Sequence, residues 1–212
     1  MPQGQGMQAE PAPSDETRYM LCVGDGAARL KLADTELTLS GEGIAYMLDG
    51  RSGLRPFANL AAVRLQAVNG GPRSPWEALA ELRFSVGRPL FVHSSSPWGM
   101  DDPERDESFI AFIEDLHRRL VAGGHGHVAF KRGIPEGRHR FLIVVALIAA
   151  VIFGGAGLMV LYIGLSGKAG FFEIAGPLFG LGGFGFWIWT SATRNAPGTY
   201  DPRHLPRDVF PE

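Results

Sequence analysis

The sequence predicts an α+β fold: an antiparallel β-sheet or barrel closed by a C-terminal helix, and then a two-helix transmembrane hairpin. Short runs between residues 28 and 93 alternate apolar with polar side chains, which is typical of strands with one solvated face. Residues 106–120 then repeat apolar side chains at helical spacing. Two long apolar runs, 141–165 and 171–192, complete the pattern.

These patterns divide the chain into six parts. The start is rich in Gly, Gln and Pro and has almost nothing to bury, which predicts disorder. The end carries spaced prolines, which interrupt a helix, with apolar residues between them, so we hypothesise that it lies back on the folded domain or on a partner. The predicted parts are a disordered N-terminus (1–18), a folded domain (19–123), a basic linker (124–140), two transmembrane helices (141–165 and 171–192) and a Pro-rich tail (193–212).

Period-two alternation predicts the strands of the folded domain. Leu30 and Leu32 alternate with polar residues, and Leu37 and Leu39 do so after a break at Asp34-Thr35. Tyr19–Val23 is either a first strand or a cover for a sheet edge. Later runs are separated by Gly-containing turns and predict strands at 44–48, 61–68, 79–86 and 89–93.

One amphipathic helix follows the strands. Asp102-Pro103 or Asp106 can start it, because acidic residues favour the first turn of a helix, and it ends by Ala122–Gly124. Its shared apolar face consists of Phe109, Phe112, Ile113, Leu116 and Leu120. The polar side chains assigned mostly to the opposite side are Glu114, Asp115, Arg118 and Arg119. We expect this helix to close an open end or face of the sheet.

Two stretches of the folded domain carry a resemblance to a known family. Gly50–Gln66, GRSGLRPFANLAAVRLQ, resembles the basic turn, aromatic residue and following strand of bacterial pleckstrin-homology-like membrane proteins. Asp106–Leu120, DESFIAFIEDLHRRL, is similar to their closing helix. The resemblance covers about residues 28–122. It implies a pleckstrin-homology-like fold beside transmembrane helices and a scaffolding role without catalysis, and it transfers no binding residue.

The two apolar runs are long enough to cross a membrane. Phe141–Leu165 holds 25 residues without a charge. At about 1.5 Å per residue a helix of this length reaches roughly 37 Å, more than a ~30 Å hydrocarbon core requires. Only Ser166–Gly170 separates the two runs, which suits an antiparallel hairpin. Because Glu173 and Pro177 lie early in the second run, that helix can start raggedly or bend.

Basic residues flank the hairpin on one side. Seven lie outside it, and only Lys168 lies in the connecting loop. The positive-inside bias therefore places both termini in the cytoplasm. Met1–Arg18 has no apolar centre, so the first span acts as its own insertion signal. The flanking basic residues singled out are Lys131, Arg132, Arg138, Arg140 and Arg194, and Arg203 and Arg207 add to them.

Charge and cysteine usage exclude some function classes. Residues 1–130 hold 12 Lys and Arg against 17 Asp and Glu, whereas residues 131–212 hold 8 against 5. An acidic folded domain disfavours nucleic acid as a partner and also disfavours broad adhesion to anionic lipid. The single cysteine, Cys22, excludes an internal disulfide and suits a reducing cytoplasm.

Glycines in the spans predict close helix packing. Small side chains let helix backbones approach each other in lipid, where apolar burial no longer drives association. The same glycines serve either the intramolecular hairpin or contact with another membrane protein or a second copy. The packing residues singled out are Gly154, Gly157, Gly176, Gly180 and Gly183.

Chemically reactive groups are sparse in the sequence. Glu173 is the acidic residue of the spans and hence a candidate for a transport or proton role, although it lies close to the outer end. His125 and His127 lack further ligands at a recognisable metal spacing, and Cys22 has no His or Asp near it in sequence, so we expect a buried or semi-buried thiol. We interpret the acidic cluster at 101–107 as negative charge at the N-terminus of the helix. No catalytic, cofactor-binding or metal site is predicted.

The function predicted is that of a non-enzymatic integral inner-membrane protein that presents a cytoplasmic interaction or scaffold domain. One alternative is a small accessory subunit of a larger membrane complex, for transport or the envelope, docking through Gly-rich helix faces. Another is a membrane-bound enzyme. The expected partners are the lipid bilayer and either another membrane protein or a second copy.

Overall fold

A computed structural model describes residues 15–24, 33–48, 50–69, 76–95, 102–166, 175–176, 179–186 and 195–210. This part of the chain contains nine strands and two long helices. The strands are β1 (Thr17–Gly24), β2 (Ala33–Leu39), β3 (Gly43–Leu48), β4 (Arg51–Pro56), β5 (Leu60–Asn69), β6 (Trp76–Phe84), β7 (Leu90–His93), β8 (Ala129–Arg132) and β9 (Gly198–Thr199). The helices are α1 (Pro103–Ala122) and α2 (Glu136–Leu165).

The strands form one open sheet in the order β4-β3-β2-β1-β7-β6-β5-β8-β9. The α+β class and the antiparallel pairing are confirmed, except that β5 and β8 run parallel. The barrel alternative is wrong, because β4 and β9 lie at opposite edges of the described sheet. The free edge of β5 is occupied by β8, so β4 cannot pair there and close the ring.

Several strand boundaries differ from the expected ones. Arg51–Pro56 was expected as a basic turn and is a strand, β4, paired along its length with β3. Its sequence has no clear alternation, and a tight connection through Gly50 at φ 71° brings it back along β3. β2 runs through Asp34-Thr35 because both residues pair with β1. β1 begins at Thr17, inside the part predicted as disordered, and residues 1–14 and the run at 28–32 lie outside the described residues.

Helix α1 is confirmed, with its start and its apolar face. Asp102 caps it by accepting from the Arg105 backbone N–H at 3.3 Å, and Pro103 follows at the first helical position. The five predicted apolar residues are all at most 2 % exposed and pack on one face of the sheet. Tyr19 of β1 meets the Phe112 ring edge-on at 5.6 Å between centroids.

Asp115 was assigned to the solvated side of α1, and that assignment is wrong. It is 3 % exposed, and its carboxylate accepts from the Tyr19 hydroxyl at 3.1 Å, from Arg119 Nε at 3.0 Å and from Arg118. Burial raises the pKa of Asp115, but the hydrogen bonds from Arg119, Arg118 and Tyr19 outweigh it, so the pKa lies below its usual value. Burial also raises the pKa of Tyr19, to about 12. This buried cluster ties the start of the sheet to the helix.

The segments on both sides of the apolar runs belong to the sheet. The linker predicted at 124–140 is wrong over residues 129–132, which form β8, and over 136–140, which begin α2. The tail supplies β9, which pairs antiparallel with β8. The hypothesis that the tail lies back on the folded domain is confirmed: Val209 and Phe210 are 1 % and 8 % exposed and join the core.

Helix α2 has 30 residues and exposes most of its apolar side chains. It is the one helix among the described residues that is long and apolar enough to cross a membrane, over Glu136–Gly164. Of the second run, residues 175–176 and 179–186 are described, and both segments are helical. Phe184 there meets Phe153 of α2 edge-on at 5.3 Å between ring centroids.

The docked tail generates a stability prediction. Phe210→Ala should lower the free energy of unfolding of the folded domain by about 3–5 kcal/mol, because it removes a buried aromatic ring. That ring packs against Phe109 at 6.4 Å between centroids. Thermal unfolding and limited proteolysis of the full chain in mild detergent would measure the loss. Arg203→Ala, an exposed change in the same tail, is the control, and equal stability of the two variants would contradict the docking.

Candidate functional site

A groove of about 1020 Å³ runs between the outer face of α1 and the tail. Apolar side chains such as Ile110, Val121 and Leu205 line part of it. Arg118, Arg203, His204 and Arg207 also line it, against the single acidic Glu114. An apolar lining edged by basic side chains is chemically suited to an acidic, amphipathic protein segment. We call this surface the α1–tail groove.

A buried pair holds the tail against α1 beside this groove. His117 Nδ1 lies 2.7 Å from the Ile113 carbonyl oxygen, so this nitrogen carries the proton and donates it. His117 Nε2 is then the acceptor of the hydrogen bond from the Tyr200 hydroxyl, at 2.8 Å. Burial lowers the pKa of His117 to about 4 and raises the pKa of Tyr200. Both ring nitrogens are therefore used in holding the structure together.

A second cavity, of about 450 Å³, lies where the sheet meets the start of α2. We call it the junction pocket. It is lined by Arg64 of β5, Lys131 of β8 and Thr199 of β9, and by the first turns of α2. The α2 residues that contribute charge or polarity are Glu136, His139 and Arg140.

Arg64 connects the junction pocket to buried charges on the sheet. It is 8 % exposed, and its Nη1 donates to the Gly133 carbonyl at 3.1 Å. Its Nε lies 3.5 Å from Glu81 Oε2, while Glu81 Oε1 accepts from Arg83 Nε at 2.6 Å. Burial lowers the pKa of Arg64, and Glu81 offsets part of that effect. The glutamate is thus shared between two guanidinium groups.

The sequence analysis did not single out Arg64. Alternation shows only which residues of a strand share a face, and it cannot show that Arg64 shares a cavity with the first turns of α2. His117 and Tyr200 were not recognised as a pair either, since 83 residues separate them. The spaced apolar residues of the tail were the one sequence signal that pointed to this contact.

Four of the five packing glycines do not approach other parts of the described chain. A Cβ added at Gly154, Gly176, Gly180 or Gly183 would find no described atom within 4 Å. The ring contact between Phe153 and Phe184 joins the two helical segments instead. Gly157 is half-buried on α2.

The predicted membrane-flanking residues divide between sheet and helix. Lys131 and Arg132 are part of β8, and Arg138 and Arg140 are exposed on the first turns of α2. Glu173 and Arg194 lie outside the described residues.

Cys22 and the two linker histidines have structural surroundings. Cys22 is fully buried, as predicted, and pairs across the sheet with His93. The His125 ring packs on Phe57 and on His127, each at 5.8 Å between ring centroids. Among the described residues, no group of three or more His, Cys, Asp or Glu side chains could hold a metal ion.

No protein-family model matches the sequence, and no curated protein is significantly similar to it. The function therefore has to be inferred from the geometry of the chain itself.

The His117–Tyr200 pair predicts a pH dependence of stability. The imidazole takes up a proton near pH 6.5 in the unfolded chain but only near pH 4 in the folded one. Its stabilising contribution is full above pH 6.5 and is lost as the pH falls toward 4, by roughly 3 kcal/mol.

Thermal unfolding between pH 7.5 and pH 4.5 would measure this loss. His117→Gln should flatten the pH dependence, whereas His204→Gln, an exposed change on the same groove, should leave it as in the wild type. A His117→Gln variant with the wild-type pH dependence would contradict the assignment.

Proposed function

We propose that the protein is a two-pass protein of the inner membrane that presents its folded domain to the cytoplasm as an interaction module, without catalysing a reaction. The observation that carries the proposal is that the chain leaves and rejoins the sheet at one place. The Ile134 backbone N–H donates to the Asn195 carbonyl at 3.1 Å. A Cβ at Gly133 would lie 2.3 Å from the Ala196 carbonyl oxygen, so the segment that enters α2 and the segment that returns to the sheet are in contact.

This contact favours an even number of membrane crossings. Helix α2 has 30 residues and extends about 45 Å from the sheet. The chain must return over the same distance between residues 166 and 194 to reach Asn195. The predicted second span, residues 171–192, would extend about 33 Å as a helix, which is enough for a ~30 Å hydrocarbon core, and seven residues outside the span remain for the loop and the connection to Asn195. The helical segment at 179–186 and its contact with α2 support this hairpin.

The exposure of α2 supports a lipid environment. Val151 and Leu158 are 77 % and 69 % exposed, and none of the apolar window is buried among the described residues. Each such side chain left in water forgoes about 1.5–3 kcal/mol of burial free energy. A bilayer would cover all faces of the helix at once.

The basic flanks support a cytoplasmic folded domain. Lys131, Arg132, Arg138 and Arg140 lie at or before the start of α2, on the side where the sheet is. The positive-inside bias then orients the sheet, and both chain ends, toward the cytoplasm.

The interaction role is supported by the fold and by the α1–tail groove. Several strands followed by one closing helix is the element order that the resemblance to pleckstrin-homology-like membrane proteins implies, and β1–β7 followed by α1 have that order. A membrane-bound enzyme is less well supported. His117 and Tyr200 are a described pair with displaced pKa values beside a cavity, but they hydrogen-bond to each other.

The topology can be tested with reporter fusions. We expect alkaline phosphatase to be active when fused in the loop at Lys168 and inactive at either chain end, and a fluorescent protein to show the opposite pattern. The full chain should resist carbonate extraction of membranes and dissolve in detergent. Chain ends on opposite sides, or a chain that stays in the aqueous fraction, would falsify the proposal.

A second candidate function is that of an accessory subunit that docks through its glycine faces. The specific observation is that a Cβ added at Gly154, Gly176, Gly180 or Gly183 would meet open space among the described residues. Such faces permit the close backbone approach that drives helix association in lipid.

Gly180→Leu tests this second candidate. Because a side chain at Gly180 meets no described atom of the chain, the hairpin should tolerate leucine, and a reduced size would report lost intermolecular contact. Size-exclusion chromatography with light scattering in mild detergent would measure it. Val151→Leu, at an exposed position of α2, is the control, and identical sizes for both variants and the wild type would argue against docking through this face.

A further inference from the structure

The junction pocket carries an excess of positive charge. Arg64, Lys131 and Arg140 line it together with the single carboxylate of Glu136. Glu136 lies 3.8 Å from Arg140, and both side chains are more than three-quarters exposed, so this ion pair is weak. The pocket therefore attracts anions.

Arg64 is a built-in part of this pocket rather than a surface cation. It is 8 % exposed, and its Nε makes no hydrogen bond within the described chain although it is shielded from solvent. Glu81 is the nearby carboxylate, but Arg83 takes the shorter contact with it. Because its Nε faces Glu81, Arg64 contributes to the pocket the positive charge of its guanidinium group, which Glu81 only partly offsets.

One further feature of the pocket favours an anion. The pocket lies at the first turn of α2, where the N-cap is Pro135, a residue whose side chain cannot accept from the free N–H groups of the turn. The positive end of a 30-residue helix dipole thus points toward the sheet junction.

The position of the pocket next to the apolar run indicates which molecule supplies the anion. Its α2 residues, 136–140, directly precede Phe141, the first residue of the uncharged apolar run. In the membrane orientation proposed above, on which this inference rests, that level is the one occupied by lipid headgroups. Lysine and arginine side chains recognise phosphate through charge-assisted hydrogen bonds, and arginine can do so with two donors.

We propose that the junction pocket binds a phosphate group, that of an anionic phospholipid, between Arg64 and Lys131 on the sheet and Arg140 on α2. The bound headgroup fixes the folded domain against the bilayer at the point where the chain passes into the membrane. The sheet then has one preferred position relative to the lipid surface.

Thermal unfolding of the full chain in nonionic detergent provides the test. Titration with phosphatidylglycerol should raise the unfolding temperature, and phosphatidylcholine should not. In the double variant Lys131→Gln/Arg140→Gln the apparent affinity for phosphatidylglycerol should fall on the order of tenfold, because two cations at the headgroup level are lost. Both side chains are exposed, so this variant should fold. Arg64→Gln should lose the response as well.

The matched control is Arg138→Gln/Arg203→Gln, which removes the same charge from exposed positions outside the pocket lining. It should keep the wild-type affinity. Equal responses to the two lipids, or equal losses in both double variants, would overturn the inference. A response to millimolar inorganic phosphate through Lys131 and Arg140, without one to phosphatidylglycerol, would overturn the lipid as the source.

Membrane fractionation separates this inference from the proposed function. A protein that is recovered in the membrane fraction but shows no pocket-dependent lipid response contradicts only the pocket. A protein that is recovered in the aqueous fraction contradicts the membrane topology itself.

Discussion

The parallel pairing of β8 with β5, extended by β9, is the contact on which the rest of the arrangement depends. It converts the two chain segments that border the apolar runs into the edge of a sheet whose core is already closed by α1. Because both borders are hydrogen-bonded to one body, α2 starts from a fixed point instead of a flexible tether. A return of the chain to the same point follows from the contact between Gly133 and Ala196.

Asp115 and Arg64 are both buried charges, but they differ in how completely other groups of the chain compensate them. The Asp115 carboxylate accepts from Tyr19, Arg118 and Arg119, so its charge is fully hydrogen-bonded and its role is to hold β1 on α1. Arg64 shares Glu81 with Arg83 and lines a cavity. A buried charge is costly unless it is compensated, and the partly compensated charge of Arg64 is the one that we propose acts on a bound phosphate.

Sequence patterns located the elements whose side chains have a regular period. The five apolar residues of α1 could be assigned to the core because a helix repeats its faces every 3.6 residues. β4 was missed because Arg51–Pro56 has no such period and is a strand through its pairing with β3. Asp115 was placed on the wrong side because helical spacing assigns polar residues to the solvated face. It cannot show that Tyr19 and two arginines surround the carboxylate.

By itself, the sequence determined the α+β class, the amphipathic closing helix, the long apolar run before Leu165 and the basic residues around it, since these depend on local composition and period. The tertiary structure decided that the sheet stays open, that the expected linker is a strand, and that the tail enters the core. It also decided the two pairs His117–Tyr200 and Arg64–Glu81, whose members are distant along the chain or lie on different strands. Hydrogen bonding between segments far apart in sequence leaves no period in either one, and only folding brings such partners together.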